Sequence, residues 1–130
     1  QFTCSFRFPE AYRISAFDIS IILNNALNNA LEACERLKEK NPEAPLSIQI
    51  EAYCKNNVFF MEITNTFDGI LKHGERERFL MTRKEDPFEH GLGFQNIRRC
   101  AEKYFGTADY RYSEERFYLT VMLQRVWKAE

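Results

Sequence analysis

The succession strand, helix, hairpin, loop, helix, hairpin predicts an α+β protein: a two-layer α/β sandwich, its sheet mixed but mostly antiparallel, its helices on one face. Three observations carry that prediction. Ile19, Ile22, Leu23, Ala26, Ala30, Ala33 and Leu37 keep the 3.6-residue phase of a long amphipathic helix. Residues 46–53 and 58–64 read as strands around a short Asn-rich turn, and Phe117, Leu119, Val121 and Leu123 alternate so that they share one face. A chain of 130 residues, 45% of them hydrophobic, can build one compact core but not two, so residues 1–130 are expected to form a single domain.

In chain order, Phe2 to Arg7 alternates apolar and polar residues and stops at Pro9, as an edge strand would. Ser15 or Asp18 can cap the long helix, and Asn41 followed by Pro42 ends it. Lys55, Asn56 and Asn57 supply the hairpin turn. From residue 67 to 90 the periodicity fails and charge accumulates at Lys72, Glu75, Arg76, Glu77, Arg78, Arg83, Lys84, Glu85 and Asp86. A loop of that length in a small domain is expected to be functional or mobile. Residues 95–104 return to a helix with Phe94, Ile97, Ala101 and Tyr104 inward and Gly106 at its C-terminal cap, and residues 109–113 and 116–125 form a last hairpin.

Eighteen basic residues against nineteen acidic ones leave a net charge of −1, so no global field favours nucleic acid or an anionic membrane. Twelve Phe and six Tyr are a heavy aromatic load, consistent with a packed interior rather than disorder. Cys4, Cys34, Cys54 and Cys100 are far apart, with no CxxC pair, and read as free thiols in a reducing compartment. No apolar run is long enough for a membrane helix and no cleavable signal is seen. Gln1 leads directly into a strand-like run without an initiator Met, which reads as a piece of a longer protein.

Within the long helix, Asn25, Asn29, Glu32 and Arg36 form a stripe about 100° from the centre of the apolar one, at the border between core and solvent. An amide oxygen there can bind Mg²⁺ or accept a ligand hydrogen bond, whereas a carboxylate would repel phosphate. Asparagines at an amphipathic boundary are also common without any ligand, so the helix alone does not decide. Asn65, Thr66, Phe67, Asp68 and Gly69 follow a strand directly, which suits either an ordinary Asp-Gly turn or a ligand contact. Gly91, Leu92, Gly93 and Phe94 precede the second helix at Gln95; the amides of such a helix start attract phosphate, and side chains at either glycine would obstruct its approach.

Taken together, these three motifs resemble the nucleotide site of the GHKL ATPases, in particular the catalytic domain of sensor histidine kinases, whose Bergerat-type fold is the sandwich expected above. The resemblance implies Mg-ATP as ligand, with Asn29 as the Mg²⁺ ligand and Asn25 at the phosphate or the metal's water shell. Hydrolytic relatives such as gyrase carry a glutamate base where Asn25 stands; an asparagine cannot deprotonate water, which argues for transfer over hydrolysis. Asn65 takes the place of the family's adenine-binding Asp and Phe67 that of its first Gly, while Gly69 keeps the second and Asp68 stands ready to share the adenine contact. The charged loop corresponds to the ATP lid, with Lys84 or Arg83 and His90 near phosphate.

The order of the Asn65 turn, then Phe79, Leu80, Met81, Thr82, Arg83 and Lys84, then His90 to Phe94 is similar to that of the Agr-type quorum-sensing kinases of Gram-positive bacteria. By that resemblance the intact protein is a membrane-anchored homodimer with this domain in the cytosol. It would pass the γ-phosphoryl group to a histidine on upstream dimerisation helices and from there to a response regulator. Neither His73 nor His90 lies on a helix pair, so the acceptor is expected elsewhere. Two other readings stand beside this one: a non-catalytic ATP-binding signalling module, and a serine kinase of the same superfamily like those that act on anti-sigma-factor systems.

Overall fold

The computed structural model describes residues 1–7, 13–71 and 92–124. They form β1 (Phe2–Phe6), α1 (Ala16–Lys40), β2 (Ile48–Lys55), β3 (Val58–Thr66), α2 (Leu92–Lys103), β4 (Thr107–Tyr112) and β5 (Arg116–Leu123). The five strands make one sheet in the order β1-β2-β3-β5-β4. β1 runs parallel to β2, and every other neighbouring pair is antiparallel. The parallel pair follows from connectivity, because α1 is the crossover between β1 and β2 and returns the chain in the same direction. The expected mixed, mostly antiparallel sheet is thus the one found.

Alternation along the strands makes the sheet one-sided. Ile48, Ile50 and Ala52 on β2, Phe59, Met61 and Ile63 on β3, and Phe117, Leu119, Val121 and Leu123 on β5 are buried, while residues such as Glu51, Glu62 and Thr120 face away. Both helices lie on the apolar face: α1 contributes Ile22 and Ala26, and α2 contributes Phe94 and Ile97. Each large side chain buried this way stabilises the fold by about 1.5–3 kcal/mol.

Three local features refine the expectations. Asn56 and Asn57 both have positive φ, 53° and 66°, so the β2–β3 turn has two central residues of the type Asn tolerates best after Gly, and Lys55 belongs to the strand. The second helix starts at Leu92, three residues before the expected Gln95, so Gly93 and Phe94 stand in its first turn. At its other end Phe105, not Gly106, takes the left-handed position (φ 55°). Phe105 donates its N–H to Glu102 and Gly106 to Ala101, closing a Schellman motif. Gly106 is needed for another reason: a Cβ there would stand 1.8 Å from the Met122 carbonyl oxygen.

Candidate functional site

The border between α1 and α2 is polar at both ends, and the two ends are built differently. At the start of α1, Ser15 caps the helix by accepting from the Phe17 N–H at 3.1 Å. One turn on, Asp18 is buried yet fully engaged: Tyr104 donates its hydroxyl at 2.6 Å and Lys103 its ammonium at 3.0 Å. The Tyr104 oxygen in turn accepts from the Ser15 N–H at 3.0 Å. The Tyr104 hydrogen bond, against the opposing effect of burial and with help from Lys103, holds the Asp18 carboxyl below its ordinary value. Burial and the same carboxylate push the Tyr104 phenol up.

Two turns further along α1 the asparagine pair meets α2. Asn25 donates its amide nitrogen back to the Ile21 carbonyl at 2.7 Å, which turns the oxygen outward. A Cβ at Gly93 would stand 3.4 Å from the Asn25 oxygen and 3.4 Å from the Asn29 oxygen. The missing side chain at Gly93 therefore leaves a small cradle at a helix N-terminus, lined by the amide oxygens of Asn25 and Asn29 and by the Asn29 amide nitrogen at 3.5 Å. Hard oxygen donors without charge suit Mg²⁺ accompanied by phosphate. Among the described residues no group of three His, Cys, Asp or Glu side chains gathers as a metal site.

Beside Asn29 a small pocket of about 50 Å³ opens to solvent. Its polar lining is Asn29, Glu32, Arg36 and Asn65, and Phe67, Ile70, Leu71 and Phe117 supply apolar wall. Asn65 is only 3% exposed and donates its amide nitrogen to the Thr66 carbonyl at 3.0 Å. β3 and β5 place Asn65 directly opposite Phe117, so one register positions both.

Asp68 stands apart from that lining. It is gripped by Lys40 at 2.7 Å and accepts from the Ile70 N–H at 2.9 Å, an Asx turn that shapes the wall behind Ile70 and Leu71. Burial raises its pKa, but Lys40, the Ile70 amide and the charge of Arg36 together outweigh that and hold it below its ordinary value. Gly69 has φ 84°, and a Cβ there would meet the Glu114 carbonyl oxygen at 2.9 Å; its freedom serves the close packing of two turns.

The structure thus brings Asn25, Asn29 and Gly93 together, and Asn29 with Asn65. Leu92 is exposed at the start of α2. The Phe94 side chain is core, 1% exposed and edge-on to Tyr110, so any ligand contact falls to its backbone. Lys84, His90 and Gly91, with His73 and Arg83, lie outside the described residues. Sequence reading put Glu32 and Arg36 on the asparagine stripe without assigning them to the site. It missed Phe117 and Leu71, whose apolar periodicity reads as plain core.

A family model described as the GHKL domain matches residues 14–124, and the chain belongs to that family. Its fold is that of histidine kinase catalytic domains. The catalytic domain of histidine kinase ThkA superposes with a TM-score of 0.65 at 15% identity, over 98% of this chain and 80% of that one. Acinetobacter baumannii histidine kinase AdeS gives 0.66 at 15% identity, over 95% of this chain and 53% of its own. The blue-light activated histidine kinase of Erythrobacter litoralis EL346 gives 0.68 at 12% identity, and this chain spans 35% of it. No curated protein matches by sequence. Among the described residues, no helix is long and apolar enough to cross a membrane.

Proposed function

We propose that this chain binds Mg-ATP and is the catalytic domain of a sensor histidine kinase, donating the γ-phosphoryl group to a histidine outside it. The observation that supports this reading most is the cradle where Asn25, Asn29 and Gly93 meet, continuous through Asn29 with a pocket of purine-compatible lining. Asn29 would hold Mg²⁺ and Asn25 the phosphate or the metal's water. The ion supplies positive charge that offsets the charge of the phosphates. Gly93 lets the phosphates approach the first amides of α2, whose dipole favours anions. Phe67, Ile70, Leu71 and Phe117 would exclude water from the base, and the Asn65 oxygen would accept from its exocyclic amine.

In the transfer, the bond between the γ-phosphorus and the β–γ bridging oxygen breaks, its electron pair leaving with ADP, while an imidazole nitrogen forms the new bond to phosphorus. Asn25 is neutral and cannot take a proton from water, so the site favours transfer over hydrolysis. Positioning and fixed charge carry the catalysis. The helical phosphoacceptor pair, the homodimer, the response regulator, the membrane anchor and the cytosolic location belong to the same proposal, as does the Agr-type lineage.

Calorimetry with Mg-ATP, then incubation with a histidine-bearing dimerisation domain, tests it. A micromolar-range Kd and acid-labile phosphate on the acceptor are expected. Binding without transfer to a joined acceptor would favour the non-catalytic module instead.

A further inference from the structure

Arg36 stands two turns from Asn29 on the same stripe, about 10.5 Å along the helix axis at 1.5 Å per residue. It therefore lines the end of the pocket remote from the Gly93 cradle, the end where a nucleotide anchored there by its phosphates would place its base. Its Nε is buried and has no hydrogen-bond partner, the one such side-chain atom among the described residues. Buried donors are nearly always paired in native proteins, so an orphan at a pocket wall points to an acceptor that arrives with a ligand. The pocket's other base-end polar group, Asn65, spends its nitrogen on Thr66 and so keeps its oxygen as the end that can accept.

An acceptor beside a buried donor matches the Watson–Crick edge of adenine. Adenine presents an amino donor next to the ring nitrogen N1, an acceptor; guanine presents the reverse, an oxygen next to an N1–H. We propose that Arg36 is a specificity-determining residue, its Nε donating to adenine N1 while the Asn65 oxygen accepts from the adjacent amino group. This rests on the Mg-ATP reading above. Asn65 carries no charge, and its amide could turn to suit the other purine only by giving up its bond to Thr66. With the base in that pose, guanine would turn its N1–H toward Arg36, which has no acceptor atom, so Arg36 fixes the choice.

The test compares Mg-ATP, Mg-GTP and an ATP analogue with carbon in place of ring nitrogen N1, by calorimetry on the 130-residue chain and on Arg36→Met. Wild type is expected to bind ATP about 10- to 100-fold more tightly than either of the others, the range for a hydrogen bond from a charged donor. Arg36→Met should bind ATP and the analogue alike. If wild type binds ATP and the analogue, or ATP and GTP, equally well, the inference is overturned while the ATP reading survives. If wild type does not bind ATP at all, the ATP reading itself fails. Should Arg36→Met not fold, the wild-type ligand series decides alone.

Discussion

The two polar ends of the α1–α2 border make an instructive pair. At the Asp18 end every polar group is answered by protein: the carboxylate has Tyr104 and Lys103, and the phenol oxygen has Ser15. At the Asn29 end the groups outnumber their partners, with two amide oxygens facing an absent side chain and the Arg36 Nε unmatched. Burial and residue type alone do not separate these regions, since both place hydrophilic side chains against a core. The difference is saturation. A closed network contributes stability, whereas an open one spends stability to keep donors and acceptors ready for a ligand.

Substitutions should therefore separate binding from folding in opposite directions at the two ends. The largest effect is expected from Asn29→Ala: Mg-ATP affinity should fall about 100-fold, some 2.7 kcal/mol, with little change in melting temperature. A comparable fall in stability would show that Asn29 is structural and would break the contrast. Asp18→Asn should do the reverse, costing about 1–3 kcal/mol of stability by weakening charge-assisted hydrogen bonds, with ATP affinity of the folded protein within about twofold. Paired denaturation and titration of both variants reads the contrast directly.

Acid titration gives a smaller and distinct signature. The Asp18 carboxyl is depressed from its ordinary 3.8, so its contribution is fully present above that pH and is lost as pH falls through the lower folded value. Asp68, held by Lys40, behaves the same way. Stability of Asp18→Asn measured from pH 5 downward should therefore decline less steeply than wild type; parallel curves would remove the carboxylate from the acid limb. Gly93→Ala should perturb the fold least. A Cβ there makes ordinary contact at 3.4 Å, and replacing glycine inside a helix gains about 0.5–1 kcal/mol. The same methyl occupies the cradle and should weaken Mg-ATP, so a more stable protein that binds as before would sink the cradle assignment.

Much of the fold was legible because periodicity is local. The α1 stripe, both hairpins and the inward face of β5 need only the phase of neighbouring residues. The start of α2 was not, since Gly91 and Gly93 carry little helix propensity. Nor was the fate of Asp68. Its turn chemistry suggested a ligand contact, but Lys40, 28 residues earlier, takes the carboxylate. Arg36 was visible on the asparagine stripe, yet nothing local shows that its Nε goes unpaired.

The sequence by itself determined which segments become helix or strand, which faces turn inward, and that hydrophilic side chains would sit at the edge of the core. Tertiary structure alone decided which of them are satisfied. Asp18 finds its partners 85 and 86 residues away, on the far end of another helix, while the side-chain oxygens of Asn25 and Asn29 face the place where Gly93 lacks a Cβ. Hydrogen-bonding capacity belongs to the residue, but its saturation depends on distant neighbours that only the folded chain brings near.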